Sequence, residues 1–394
     1  MRQTPPSQTL FVALAIAFPL TAFLLALFFK PEPADMLIHR GGNIAAYAGG
    51  DFVNMWLGAK LALAGQVDAL FDFKRYNAAL QSFLSPQIPF HNWSYPPHLL
   101  LMVWPLGLLP YLQALVLWQS ATFAAFAWSA WPPRAMVGKG WYLAGLCLLP
   151  ACAINLADGQ NGFLLAALLI GGLRLADTRP WLAGCLIGLL TIKPQLGVIL
   201  PVALLALGAW RVILAAAMTT LGLVVASSLA FGSEAWIGWL QVTLPYQSSL
   251  LEQNGVFYQV MMPSIFVAAR LLGASMATAT LSHCLVAALA IALMVLALRR
   301  PSEPLHRTAV VATAACLVSP YFFNYDMIAV GAALLLRLSM AETPPPLMLA
   351  RFMPALLTPT LVMLLAFVLL PVTPLFLLAA LIGLVAKAGQ PKLA

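Results

Sequence analysis

The sequence predicts an all-α, polytopic membrane protein, and three observations predict it. The 394 residues are 62% hydrophobic and only 8% charged, with a mean hydropathy of +0.92. Apolar runs long enough to cross a hydrocarbon core of ~30 Å recur from end to end. No stretch sustains the period-2 alternation of a barrel strand. Helices and closed barrels are the only spanning structures, because lipid offers no partner to a free backbone N–H or C=O.

The elements follow in order from the apolar runs and their breaks. A first span is expected at about 9–30. Its run Leu10 to Phe29 is too long for a signal-peptide core and lacks a small-residue cleavage site, so it reads as a retained span. A long outer segment, 31–96, carries a helix from Phe52 to Leu63 and a second amphipathic stretch from Val67 to Leu84. It ends in His91-Asn92-Trp93-Ser94-Tyr95-Pro96-Pro97-His98, where the double proline can open a helix but cannot sit inside one. The run Leu99 to Leu109 is too short to span. Further spans are expected at about 111–131, 140–157 and 162–176. Residues 181–210 read as two short apolar halves broken at Thr191-Ile192-Lys193-Pro194-Gln195. A span at about 212–231 leads to a second outer segment, 232–274, with Gln253-Asn254-Gly255. Spans at about 276–298 and 308–320 precede Ser319-Pro320-Tyr321-Phe322-Phe323-Asn324-Tyr325-Asp326. The chain then turns inward to Arg337, and two last spans lie at about 352–370 and 372–387. These make about twelve membrane segments in one integral domain, 1–394.

Charge sets the orientation. Basic residues scattered singly between spans fall on one side, among them Arg2, Arg134, Lys139, Arg174, Arg211, Arg299, Arg300, Arg351, Lys387 and Lys392, as the positive-inside rule expects. Lys30 and Arg40 belong to the long outer loop, where the rule is weak. Of the twelve acids only Asp177, Glu303 and Glu342 fall inside. This places both termini in the cytoplasm of a multi-pass protein of the cytoplasmic (inner) membrane. The net charge of +8 therefore needs no nucleic acid to explain it. Cys147, Cys152, Cys185, Cys284 and Cys316 lie within apolar runs without metal-ligand spacing and read as small hydrophobes.

The polar clusters converge on the outer face. Asp51 follows two glycines and precedes a helix, where free N–H groups and the helix dipole favour an ionised carboxylate. It can serve as a general base toward an acceptor hydroxyl, or simply as an N-cap. Lys193 is a basic residue at membrane depth, which is costly and points to function. It can hold a phosphate as a point charge, or snorkel to the interface. His98, like His91, can contact phosphate or protonate a leaving group. Gln160 and Asn161 can hydrogen-bond sugar hydroxyls. Asp158 has the same option or caps the helix that starts near Gln160, and Asp326 carries the same double reading. Tyr95, Trp93 and Trp56 can stack on a sugar face or belong to the interfacial aromatic belt. Arg270 can meet a lipid phosphate or anchor the surface. Nucleotide-binding, zinc-protease and serine-hydrolase signatures are missing. With no soluble domain to bind a nucleotide sugar, an outer-face enzyme needs a donor already in the membrane, and a lipid-linked phospho-sugar meets that need.

Several short motifs together resemble glycosyltransferase family 87, the polyprenyl-phosphate-mannose-dependent enzymes of GT-C architecture. They are Gly50-Asp51-Phe52 with Trp56, Ala59 and Gly65; Tyr95-Pro96-Pro97 with Pro105 and Leu106-Gly107-Leu108-Leu109-Pro110; Gly159-Gln160-Asn161; Gly184 and Gly188 with Ile192-Lys193-Pro194-Gln195; and Ser319-Pro320 with Tyr325-Asp326. The resemblance spans roughly 45–330. It implies a GT-C-like bundle whose catalytic carboxylate lies on the first extracytoplasmic loop, a role that transfers to Asp51. It further implies a polyprenyl-phosphate sugar as donor and co-substrate, mannose as the sugar, and a glycan or glycolipid acceptor beside the membrane lipids. Lys193, with His98, would stabilise charge on the leaving phosphate. GT-C enzymes often carry adjacent acids in this loop. Here Gly50 precedes Asp51, so one acid is expected, and no metal or other cofactor. The rival reading is a transporter or flippase of lipids or lipid-linked sugars, which the broken hairpin around Lys193 would suit. Against it stand the absence of an internal repeat and the gathering of polar groups on one face. A non-catalytic scaffold would need neither Asp51 nor Lys193. A polymerase using a lipid-diphosphate donor would carry more outer arginines.

Overall fold

The computed structural model describes residues 6–28, 49–84, 86, 88–134, 136, 138–253, 257–341, 344 and 346–386. The described residues are predominantly helical and contain no strand. Arg2, Lys30, Arg40, Asn254, Gly255, Glu342, Lys387 and Lys392 lie outside them, as does most of the expected loop before Gly49.

Helix α1 (Pro6–Phe28) is long and apolar, and α2 (Phe52–Leu63) starts directly behind Asp51. The amphipathic stretch divides into a 3₁₀ turn, Val67–Phe71, and α3 (Phe73–Phe83). The Asp72 carboxylate caps α3 by accepting from the N–H groups of Lys74 and Arg75. Pro97 opens a short apolar stretch, Pro97–Leu108, before α4 (Tyr111–Ser129). The expected span at 140–157 is two helices, α5 (Lys139–Cys147) and α6 (Pro150–Asp158), bent by 41°. Pro150 has no N–H with which to continue the first of them. Next come α7 (Gly162–Leu175) and α8 (Pro180–Leu189). The chain then breaks at Lys193, and α9 (Pro194–Gly197) and α10 (Leu200–Ala206) follow.

Helix α11 (Trp210–Phe231) leads to a series of short elements: α12 (Glu234–Gly238), a π turn (Trp239–Thr243), α13 (Leu244–Glu252), a 3₁₀ turn (Phe257–Met261) and α14 (Ile265–Leu271). Helices α15 (Met276–Leu298) and α16 (Pro304–Val318), a 3₁₀ turn at Asn324–Met327, and α17 (Ile328–Ser339) come after it. Where one straight span was expected at 352–370, the chain forms α18 (Pro346–Leu356) and α19 (Thr358–Ala366), bent by 67°. Pro359 at the start of α19 gives the same physical reason for a break. The last helix is α20 (Thr373–Ala386).

By length and composition α1, α11 and α15 can each cross a membrane, and the bent pairs α5–α6 and α18–α19 raise the number to five if each is one span. Leu214, Leu221, Val225 and Leu229 of α11 and Leu281, Leu285 and Leu289 of α15 are exposed, as helices facing lipid tails can be without penalty. Tight packing behind that surface uses glycine. A Cβ on Gly184 would lie 2.3 Å from Ala215 Cβ, and one on Gly188 would lie 2.7 Å from Thr219 Cβ and 2.8 Å from the Ala216 carbonyl oxygen. Four residues apart on α8, the two glycines let the α8 and α11 backbones approach closely. This anchors the first half of the broken hairpin and fixes where Lys193 emerges.

Candidate active site

Gly49 takes a left-handed turn, φ +78°, that brings the chain into α2. The Phe52 N–H donates to the Gly49 carbonyl at 2.6 Å, and the Asn54 N–H to the Asp51 carbonyl at 3.1 Å. Asp51 stands at the N-cap position, yet its carboxylate makes no capping bond. Its Oδ2 accepts instead from Nε2 of Gln160. The carboxylate is turned away from the helix it precedes and toward the α6–α7 loop. Burial pushes this carboxyl above the usual carboxylate range, while His91, Lys193 and the Gln160 N–H draw it back down.

Gln160 is placed by the end of α6. Gly159 closes α6 with φ +63°, and the Gln160 N–H reaches back to the Asn155 carbonyl at 3.2 Å. Asn155 is fully buried and ties three elements together. Its Oδ1 accepts from the Gly162 N–H at 2.8 Å, and its Nδ2 donates to the Tyr325 carbonyl at 2.8 Å and the Ala151 carbonyl at 2.9 Å. Its carbonyl also accepts from Nε2 of Gln119 at 2.7 Å. Neither Asn155 nor Gln119 stands out in the sequence; the available signal was a polar side chain inside each of two apolar helices. Asp158 does not cap α7, because it is the last residue of α6 and Asn161 takes the N-cap position without a side-chain cap bond. Its carboxylate faces Gly50: a Cβ there would lie 3.2 Å from Asp158 Oδ1. The lone acid expected beside Gly50 thus acquires a neighbour from another loop. Asn161 is fully buried, with neither side-chain amide atom bonded to a protein group.

Lys193 is also buried. Its Nζ donates to Asp326 Oδ1 and Oδ2 at 2.6 and 2.8 Å. The stacked rings of Phe323 and Tyr325, 4.9 Å apart, flank the ammonium, which lies 4.7 Å from the Tyr325 ring centroid and 6.0 Å from that of Phe323. Asp326 Oδ2 further accepts from the Phe323 N–H at 3.3 Å. Both Asp326 oxygens therefore engage protein groups. The lysine does not snorkel outward; it is held in place within electrostatic reach of Asp51.

His98 is buried, stacks on Trp236 with centroids 5.6 Å apart, and sets Nε2 3.3 Å from Thr191 Oγ1, two residues before Lys193. Its Nδ1 has no protein partner. Tyr95 is buried edge-on against Trp93 and lies within electrostatic reach of Asp51 and Asp326. The turn that carries it is clamped by the π turn and α13: Gln247 Nε2 donates to the Ser94 carbonyl at 2.7 Å, and Thr243 Oγ1 to the Trp93 carbonyl at 3.2 Å. Gln247, from the polar run Pro245-Tyr246-Gln247-Ser248-Ser249 that the sequence shows without a role, is thus a support of the site. Trp56 donates from its indole to the Leu109 carbonyl at 3.0 Å and packs on Tyr111, so it holds the frame. Arg270 of α14 donates to the Ala274 carbonyl at 2.9 Å, just past the end of its own helix. Among the described residues no three His, Cys, Asp or Glu side chains come together as a metal ion would require.

The arrangement offers an anchored carboxylate, a buried cation and unengaged amide groups. Residues 93–320, more than half of the chain, match the family model of glycosyltransferase family 87. The matched region holds Tyr95, His98, Asp158, Gln160, Asn161 and Lys193; Asp51 and Asp326 lie outside it. No curated protein and no solved structure matches the chain.

Proposed function

This chain belongs to glycosyltransferase family 87 and is a membrane glycosyltransferase, and we propose that it moves a hexose from a polyprenyl-phosphate donor to a hydroxyl acceptor, with inversion. The observation that carries the proposal is the Asp51 carboxylate, held by Gln160 and free of any capping bond, within electrostatic reach of the buried Lys193. In this reading Asp51 takes the proton from the acceptor hydroxyl. The oxygen attacks the anomeric carbon and forms the new C–O bond. The bond from that carbon to the phosphate oxygen breaks, and its electron pair leaves with polyprenyl phosphate. Lys193 stabilises the charge that develops there, with His98 beside it. Tyr95, Gln160, Asn161, Asp158 and Asp326 shape the space for sugar and acceptor. No metal or separate cofactor enters these steps.

Mannose as the sugar rests on the resemblance to the family. The acceptor is a glycan or glycolipid. The fold in this reading is a GT-C-like bundle of about twelve membrane segments in the cytoplasmic membrane, with the site facing outward. The test is transfer by purified protein in nanodiscs from synthetic polyprenyl-phosphate-mannose, read as release of polyprenyl phosphate. Wild type should turn over. Asp51→Asn should bind donor without turnover, and Lys193→Ala should weaken donor binding. Turnover that survives Asp51→Asn would remove Asp51 from the chemistry. Transbilayer movement of the lipid without transfer from any donor sugar would make the protein a flippase.

A further inference from the structure

Asp158 is half-buried and stands in the site without a partner. Its Oδ1 faces Gly50, where a Cβ would lie 3.2 Å away, and its carboxylate accepts no hydrogen bond from a described residue. Asp51, directly after Gly50, is the charged group within its electrostatic reach. The nearby cation is already engaged, because Lys193 donates to both oxygens of Asp326. The elements packed on α6 supply no counter-charge at this end. Helices α1 and α19 carry no titratable side chain, and Arg174 of α7 and Arg337 of α17 lie in the last turns of their helices. The Asn324–Met327 turn contributes Tyr325 and the paired Asp326, and Cys152 of α6 itself bonds the Leu146 carbonyl. Two carboxylates thus share one site with no cation to spare. Of such a pair, one is driven to keep its proton.

We propose that the proton rests on Asp158, which is neutral at neutral pH and leaves a single negative charge in the pair, on Asp51. The hydrogen bonds decide which acid keeps it. Gln160 Nε2 donates to Asp51 Oδ2, and Lys193 and His91 act on the same carboxylate, so the charge is favoured there. Asp158 has no such donor. Asp158 is then a positioning residue that acts through Asp51 and through the field of the site. An ionised Asp51 is the form that can take a proton from an acceptor. A sugar phosphodiester, the donor in the transferase reading on which this part rests, brings one negative charge of its own. With Asp158 neutral it meets one uncompensated carboxylate; with both acids ionised it would meet two. A unit charge on the order of 10 Å away, at an effective dielectric constant of about 20, changes affinity by about tenfold. The pair therefore sets an upper pH for donor binding, reached when Asp158 releases its proton to solvent.

The test reads the proton directly. Infrared difference spectra of the full-length protein in nanodiscs, between neutral and alkaline pH, should show the carbonyl stretch of a protonated carboxyl that disappears as pH rises. Asp158→Asn should lack this band. Asp158→Glu should shift its frequency and Asp51→Glu should not, a comparison that stands even where Asp158→Asn folds poorly. A band shifted by Asp51→Glu and not by Asp158→Glu would put the proton on Asp51 and overturn the assignment, as would no band at neutral pH. In parallel, the Kd for polyprenyl-phosphate-mannose, measured by equilibrium binding, should rise about tenfold in wild type over the pH range in which the band is lost. It should stay level in folded Asp158→Asn, and an equal rise there would overturn the role in donor binding. The spectra need no donor. A band assigned to Asp158 without transfer from any donor would sink the transferase reading alone, and transfer without the band would sink the proton assignment alone.

Discussion

Asp326→Asn tests whether Lys193 is held as a buried ion. The two side chains are 9% and 0% exposed, with Nζ 2.6 Å from Oδ1. An exposed pair contributes at most about 1 kcal/mol. Removing one partner of a buried pair strands the other charge and costs about 3–5 kcal/mol. With both side chains almost wholly enclosed, the larger figure applies to Asp326→Asn. Asparagine keeps an acceptor for the Phe323 N–H, so the loss reports the stranded ammonium and little else. In Lys193→Met the stranded carboxyl can neutralise itself by taking a proton. Its folded pKa then lies above the ordinary value of about 3.9, so that variant regains stability as pH falls toward that value and loses it as pH rises. The double variant Lys193→Met/Asp326→Asn should recover most of the loss yet remain inactive, which separates the structural role of the pair from the role of the cation. Chemical unfolding in detergent micelles, read by tryptophan fluorescence, gives all four corners of the cycle. A cost for Asp326→Asn below about 1 kcal/mol would refute the reasoning, because it would mean that water reaches Lys193.

Four further outcomes follow from the same geometry. Turnover should fall on the acid side through a pKa above the ordinary carboxylate value of about 3.9, because burial raises Asp51 and the protonated acid cannot accept the acceptor's proton. The raised pKa also makes Asp51 a burden on folding that grows as pH rises through it, so Asp51→Asn should unfold at higher temperature than wild type at pH 7, and an unchanged or lower melting temperature would contradict the burial argument. Gly159→Ala places a Cβ 2.4 Å from Phe52 Cβ and 2.9 Å from the Gly49 carbonyl oxygen, at φ +63°. It should cost about 2–4 kcal/mol and reduce turnover more than donor binding, measured by unfolding and by equilibrium binding of polyprenyl phosphate. Leu369 is the one non-glycine with positive φ among the described residues, at 50°. Leu369→Gly should therefore raise stability by about 0.5–1 kcal/mol in the same unfolding assay.

The parts of the fold that depend on local chemistry were legible in the sequence. The apolar runs give the helices, Pro97 opens its stretch, and the break at Lys193-Pro194 lies where proline removes a backbone donor. The helix at Phe52–Leu63 and the carboxylate before it could also be read from the chain. What the carboxylate does could not. A capping carboxylate and one turned to a distant partner look alike in sequence, and only the bond from Gln160, 109 residues away, shows that Asp51 is the second. The same holds for Lys193, whose partner is 133 residues along the chain. Proline residues were visible at both bent stretches, but a proline marks a possible bend without giving its angle, which neighbouring helices set.

The expectation of a single acid shows why adjacency in sequence is a poor guide to adjacency in the site. Gly50 occupies the position where a second acid would stand, and its lack of a side chain leaves room for Asp158 to approach. Gly159, directly after Asp158, packs against Phe52 and Gly49 with no space for a Cβ. Two loops that meet through glycine backbones can thus bring together carboxylates that a single loop would hold side by side. A pair built this way is tied to the packing of α2 on the α6–α7 loop, and so to Asn155, which fixes that loop to Tyr325 and the turn carrying Asp326. The carboxylate end and the cation end of the site are therefore set by one buried asparagine, and a change there would disturb both at once.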